Sequence, residues 1–318
     1  MNNIKVSVIV PVFNAAQYIG KTLNSIISQD FDCFEIIVID DGSTDNSLNI
    51  INNTLKDCEI PHQIITQKNS GVSAARNRGI EQANGVYLVF VDADDYISHN
   101  HLSGLYNGKT DFSLTLYAKK QQDKLINMDN YSKDLISTDE FIRMELNMEI
   151  TFNFFQLMYK KDIIDKNNVR FSEGVVYGED TEFAHKALNY GDIIAINNEI
   201  TYYYVQHPDS AINTTEFRRF DVVEIFEKLA DFYKENNRKD FSRLIITSRI
   251  PKAIFGNMNF FFYRGYDFDE VIAKMRELNL FEKLSKFQGD RKFKLKIRLF
   301  LLNPKLYYKM WKKFKNSI

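Results

Sequence analysis

The chain has 318 residues, 44% of them hydrophobic, with 26 Phe and 17 Tyr, and 41 Lys+Arg against 42 Asp+Glu give a formal net charge of -1. That length and apolar content suit one large domain or two modest ones and exclude general disorder and collagen-like repeats. The charge is unevenly spread: the last 28 residues hold ten Lys/Arg and no Asp or Glu, while the first 290 carry 31 Lys/Arg against 42 Asp/Glu.

Two cysteines, Cys33 and Cys58, are too few for a disulfide framework or a Cys-rich zinc site. The opening MNNIKVSVIVPVFN lacks the cationic start and cleavage site of a signal peptide. No apolar run approaches the roughly 18 residues that span a bilayer. A reducing cytosol is the expected compartment.

Residues 4–10 form an apolar, β-branched run that reads as a strand ending at Pro11. Ala15–Ser28 places Ile19, Leu23, Ile26 and Ile27 on one stripe, which predicts a helix. Residues 35–39 are a second strand, ending at Asp40-Asp41-Gly42-Ser43. Ser43 or Thr44 can cap a helix bearing Leu48, Ile51 and Leu55. Residues 62–66 are a weaker third strand, Ser73–Asn84 a third helix, and residues 86–91 a fourth strand ending at Asp92-Ala93-Asp94-Asp95. Continuous apolar strands alternating with helices predict a doubly wound α/β sheet covered on both faces.

Ligands bind such sheets at the carboxyl ends of the strands. Pro11–Asn14, Asp40–Ser43 and Asp92–Asp95 all sit there. Clustered carboxylates repel one another unless a cation or hydrogen-bond donors share the site. No G-x-G-x-x-G or P-loop motif is present to cradle phosphates. A divalent metal, Mn²⁺ or Mg²⁺, held by Asp94 and its neighbours and bridging ligand phosphates is the alternative. His99 and His101 follow in what reads as a loop. Residues 220–288 read as helical. The tail interleaves its cations with Phe, Leu, Tyr and Trp311, and Asn303-Pro304 breaks it.

Four blocks stand in order across residues 6–95: PVFNAAQYIGKTLNSIISQ, EIIVIDDGSTDNS, NSGVSAARNRGI and YLVFVDADD. Together they resemble the family 2 glycosyltransferases of the GT-A fold. Gly178-Glu179-Asp180-Thr181-Glu182-Phe183 resembles that family's acidic ED block, and Tyr202–Ser210 the block closing its catalytic domain. The resemblance implies a Rossmann-like, mostly parallel sheet flanked by helices. Residues 1–98 would be the nucleotide-sugar-binding half, 99–218 the acceptor-binding half, and 219–318 a helical C-terminal region.

The activity it implies is metal-dependent, inverting transfer of a hexose or N-acetylhexosamine from a UDP-sugar. The acceptor would be a hydroxyl of a glycan or lipid-linked glycan, in cell-surface polysaccharide or capsule synthesis. By position in the motifs, Asp180 is the general base and Glu179 orients the acceptor. Asp41 holds the nucleobase, and Pro11, Phe13, Asn14, Asn69, Arg76, Asp92 and Ala93 complete the donor site. Asp94 and His207 are the metal ligands implied.

Each role has a plainer counterpart: a helix cap for Asp41, a solvated surface charge for Arg76, a polar turn for Asp92–Asp94, a satisfied histidine for His207. Glu179 and Asp180 also suit the first turn of a helix, which is compatible with presenting a base. Phe13 stands where the family often has Tyr. The Q-x-x-R-W block of processive synthases is absent, which points to one sugar added per visit.

The tail suits an anionic leaflet at the inner face of the membrane, or packing on the acidic body or a sister subunit. Nucleic acid is not an expected partner. A non-catalytic GT-A-like module binding a partner enzyme or glycan is the alternative to an enzyme. Metal-dependent UDP binding discriminates between them.

Overall fold

The computed structural model describes residues 4–121, 124–128, 131–175, 177–206 and 217–315. The chain divides into two compact units, Met1–Ile142 with Ile150–Thr214, and Arg143–Glu149 with Thr215–Ile318.

The first unit opens with β1 (Val6–Val12), α1 (Ile19–Ile27), β2 (Phe34–Asp40), α2 (Ser47–Leu55), β3 (His62–Thr66), α3 (Val72–Gln82) and β4 (Tyr87–Phe90). These strands lie in the order β3-β2-β1-β4, all parallel. Every residue of β1, β2 and β4 is buried, which is why these strands read as unbroken apolar runs rather than alternating ones. The edge strand β3 is half-exposed, and its apolar signal is correspondingly weak. α3 crosses β1 closely. A Cβ at Gly79 would lie 2.3 Å from Ile9 Cγ2, so only glycine admits that approach.

Then come β5 (Tyr96–Ile97), α4 (His101–Leu105), β6 (Phe112–Gln121), β7 (Lys124–Met128), β8 (Leu135–Ser137), α5 (Thr138–Leu146), β9 (Leu157–Lys160), α6 (Lys161–Lys166), α7 (Glu179–Leu188) and β10 (Ile193–Val205). β9 runs antiparallel between β4 and β6, and β10 lies parallel to β6. The sheet is therefore parallel where α3 and its neighbours cover it and mixed beyond β4. The long β10 carries the Tyr202–Tyr204 run as a strand.

Two helix starts differ from expectation. α1 begins at Ile19 rather than Ala15. α2 begins at Ser47 and takes no cap from Ser43 or Thr44. The reason is competition for those side chains and amides: Ser43 Oγ accepts from Asn14 N at 3.0 Å, and Thr44 N donates to Asn14 Oδ1 at 2.8 Å. The two residues tie the β1 and β2 loops together instead of opening the helix.

The second unit is helical, as expected: α8 (Val222–Glu235), α9 (Lys239–Leu244), a π-helical turn (Ile245–Arg249), α10 (Ile250–Tyr263), α11 (Phe268–Glu277), α12 (Leu280–Ser285), α13 (Arg291–Leu302) and α14 (Pro304–Lys315). Its core gathers Phe226, Leu229, Ile254, Met258, Phe261 and Phe300. Asp290 caps α13 by accepting from Phe293 N at 2.7 Å. Pro304 starts α14 at the predicted break. Among the described residues no helix is long and apolar enough to cross a membrane.

Candidate active site

The carboxyl ends of β1 and β2, with the start of α3, enclose a cavity of about 250 Å³ lined by Pro11, Phe13, Asp41, Asn69, Gly71 and Ala75, among others. Asp41 is buried. Its Oδ1 accepts from Gln67 Nε2 at 2.8 Å and Ser70 N at 2.9 Å, and its Oδ2 from Gly71 N at 2.8 Å. It is therefore not a cap for α2; it fixes the loop that leads into α3. A carboxylate has about four lone-pair positions, so capacity for one further donor remains. Phe13, 49% exposed, forms an aromatic wall. Asn14 is absent from this lining. Its φ of 49° and its bonds to Ser43 and Thr44 make it a loop tie.

The next residue along α3, Arg76, lines a second cavity of about 290 Å³ with Asp92, Tyr177, Glu179, Asp180 and Tyr204. Arg76 is only 5% exposed, unlike a solvated surface charge. Its Nη2 contacts Asp92 Oδ1 at 2.8 Å, and its Nη1 contacts Glu179 Oε1 at 3.4 Å. The guanidinium lies over the Phe154 ring at 4.3 Å and near Phe171 at 5.3 Å. One buried cation thus joins the end of β4 to the start of α7.

The Asp92–Asp95 turn alternates as a strand end should: Asp92 and Asp94 are half-exposed, Ala93 and Asp95 buried. Thr22 Oγ1 lies 2.8 Å from Ala93 O and 2.7 Å from Asp95 O. The Asp95 carboxyl accepts from Tyr202 Oη at 2.7 Å and Val205 N at 2.8 Å, and the same Tyr202 hydroxyl accepts from Asp92 N at 3.3 Å. Burial, and then the nearby charges of Asp92 and Asp94, hold Asp95 well above the usual carboxylate range. Asp95 and Tyr202 clamp the turn to β10.

Glu179 and Asp180 are the first residues of α7, reached through Gly178 at φ 89°. Burial pushes the Glu179 carboxyl up to about 7, and the charge of Asp180 adds to this, while Arg76 opposes it. Asp180 Oδ1 accepts from Thr181 N at 2.7 Å. The walls opposite come from Tyr117, Lys119, Asn153, Phe154 and Phe155. These residues sit on β6 and just before β9, far away in sequence, and carry no local motif that would announce them. The reading of His101 as a loop residue does not hold. It opens α4, is fully buried and bonded to Thr201 Oγ1 at 2.8 Å, and burial pushes it down to about 3. It is a core histidine.

Among the described residues no three His, Cys, Asp or Glu side chains converge on a cation position. His207 lies outside the described residues. Asp94, half-exposed on its turn, can supply one hard oxygen ligand. Such a sparse protein contribution suits a cation that takes its other ligands from phosphates and water, the habit of Mg²⁺.

Residues 7–152 match the model of glycosyl transferase family 2. An Escherichia coli (strain K12) protein called an uncharacterized glycosyltransferase, YibD, is 34% identical over 200 residues, 58% of this chain and 57% of that one. A Staphylococcus aureus (strain MW2) poly(ribitol-phosphate) beta-N-acetylglucosaminyltransferase, TarS, is 28% identical over 239 residues, 71% of this chain and 40% of that one. The matched region thus spans about three fifths of the E. coli relative and less of the S. aureus one. The solved structure of S. aureus TarS 1–349 superposes with a TM-score of 0.72 at 21% identity, covering 99% of this chain and 92% of that one. The same fragment in complex with UDP-GlcNAc gives 0.67 at 19% identity, with the same coverage. These superpositions carry the fold, a GT-A sheet with a helical C-terminal region.

Proposed function

Because residues 7–152 match the model of glycosyl transferase family 2, we propose that this chain moves a sugar from a UDP donor, with inversion, to a hydroxyl of a glycan or lipid-linked acceptor. The observation that carries this reading is the junction on α3. Ala75 lines the cavity of Asp41, and Arg76 lines the cavity of Asp180 and bridges Asp92 to Glu179. The niche of Asp41 and a carboxylate pair therefore adjoin across one residue step. The UDP-GlcNAc complex of the TarS fragment supports a UDP-sugar donor, and the relative's name, a poly(ribitol-phosphate) beta-N-acetylglucosaminyltransferase, supports a polymer acceptor.

In this reading Asp41 accepts from the base N–H, Phe13 flanks the base, and Pro11 and Asn69 complete the niche. Asp92, oriented by Arg76, faces the ribose, with Ala93 in the turn. Asp180 takes the proton of the acceptor hydroxyl as that oxygen bonds to the anomeric carbon. On the opposite face the bond from that carbon to the diphosphate oxygen breaks, and UDP leaves with the electron pair. Glu179 orients the acceptor. A divalent cation at Asp94, with His207 as a further ligand, would neutralise charge building on the leaving diphosphate. α13 and α14 face the anionic inner leaflet and bring the enzyme to lipid-linked acceptor.

A thermal-shift screen of UDP-sugars with Mn²⁺ tests the donor. Stabilisation by none of them would sink it. Asp180→Asn is expected to lower transfer by about 10²–10⁴-fold while donor-induced stabilisation persists. Undiminished transfer would remove Asp180 as base.

A further inference from the structure

Among the described residues, a cavity within the second unit shares no lining residue with the site above. It measures about 1200 Å³ and is walled by α10, α13 and α14 with the turn at Asn147 and Met148. Typical small-molecule sites are roughly 300–1,000 Å³, so this space admits a long hydrocarbon chain. Phe255, Phe293, Leu299, Met310 and Trp311 make it apolar. Among the described residues no carboxylate lines it, and the charged residues that do are Lys252 and Lys296. The Lys252 ammonium is held against the wall by donating to Asn147 O at 2.7 Å.

Two further observations point to an occupant. Gly256 lines the cavity in the middle of α10, where glycine weakens a helix relative to alanine. A Cβ there would meet nothing within 4 Å, so no neighbour demands the glycine; it leaves the cavity open. At the cavity's rim Tyr263, Met148 and Met310 are 64%, 48% and 41% exposed, a cost in water that a covering apolar group removes.

We infer that this cavity binds the hydrocarbon chain of an anionic membrane lipid, with Lys252 and Lys296 facing its phosphate. The inference rests on the proposal that α13 and α14 face the membrane, and it deepens that proposal from surface attraction to a built site. Charge selects lipid over a second copy of the chain. The ten cations of residues 291–318 have no acidic neighbour in that segment, and a symmetric dimer through this face would set them against the same cations of its partner. An anionic lipid satisfies both the apolar walls and the cations.

The test uses the full chain and its one tryptophan, Trp311, which lines the cavity. Vesicles of phosphatidylcholine, with and without phosphatidylglycerol, are compared, and the phosphatidylglycerol is also supplied with brominated acyl chains. Co-sedimentation is expected only with phosphatidylglycerol, with a blue shift of Trp311 emission and severalfold quenching by the brominated chains. Gly256→Leu, whose side chain enters the empty space, should keep co-sedimentation and lose the quenching. Met310→Gln, at an exposed position on the wall, should weaken quenching likewise and serves if the leucine variant does not fold. Co-sedimentation without quenching, or quenching unaltered in both variants, overturns the cavity while leaving membrane attraction standing. Absence of any lipid binding overturns both, and concentration-dependent dimerisation that shields Trp311 overturns the lipid in favour of a second copy. Donor-induced stabilisation reports on the transferase site separately in every case.

Discussion

Glu179 offers the sharpest test of the site's electrostatics. Its side chain is 12% exposed, at 3.4 Å from Arg76 and next to Asp180. Burial and that neighbour raise its carboxyl from 4.5 to about 7. The folded state therefore holds the Glu179 proton more tightly than the unfolded chain does. Stability is greatest below the unfolded value and falls as pH rises from 4.5 toward 7, after which the full penalty stands. At about 1.4 kcal/mol per pH unit across that window, charging Glu179 costs about 3 kcal/mol. Glu179→Gln has nearly the same shape and does not titrate. Its stability relative to the parent should be near zero or negative at pH 4.5 and should rise by about 3 kcal/mol by pH 8. Urea unfolding followed by far-ultraviolet circular dichroism, at a series of pH values and with matched m-values, measures this. A difference that stays constant with pH, or grows in the opposite direction, would refute the assignment of burial as the dominant influence on this carboxyl.

Arg76→Gln leaves Asp92 and Glu179 without their shared cation and should cost about 3 kcal/mol in urea unfolding; a loss below about 0.5 kcal/mol would mean the bridge is solvated. Tyr202→Phe removes the hydroxyl that donates to Asp95 and accepts from Asp92 N, and should cost about 1–3 kcal/mol and weaken donor stabilisation with Mn²⁺; unchanged values for both would show that the turn is held by Val205 and Thr22 alone. Chelating divalent cations should abolish stabilisation by UDP-sugar. At a donor concentration of about 100 Kd that stabilisation is about 2.7 kcal/mol, and its persistence in chelator would exclude Asp94 as a metal-dependent anchor for the diphosphate.

The parallel half of the sheet was legible because its strands are buried on both faces, so hydrophobicity alone marks β1, β2 and β4. Their ends were legible too, since Asp41 and the Asp92–Asp95 turn sit where strand ends meet the cavities, beside Arg76 of α3. Less could be read where one residue serves two masters. Ser43 and Thr44 look like caps, yet the left-handed Asn14 claims them. Asp95 reads as one more carboxylate of the strand-end cluster, yet Tyr202 and Val205 claim it from 107 and 110 residues away. The far wall of Tyr117, Lys119, Asn153 and Phe155 is brought in by antiparallel pairing through β9, a tertiary event with no local signature. Arg76 as a bridge between Asp92 and Glu179 was likewise invisible, because a guanidinium's fate depends on the aromatic floor of Phe154 and Phe171 beneath it.

The charge distribution of this site follows one logic. Asp92, Asp94, Asp95, Glu179 and Asp180 share a small region with one buried cation, Arg76. The surplus is felt by four of the groups around it. Burial raises Asp95, Glu179, Tyr202 and Tyr204 above their usual ranges, and the surrounding carboxylates push each of them further the same way. A purely structural cluster would be cheaper with amides or hydroxyls at the same positions, since a hydrogen bond needs no net charge. The proposed transfer uses that charge: one carboxylate to accept a proton, and others to hold a cation against an incoming diphosphate. A diphosphate alone would add negative charge to a negative site. Under the proposed transfer the arrangement works as a three-part assembly of carboxylates, cation and donor, in which Arg76, bridging Asp92 and Glu179, keeps the two in register until the other two arrive.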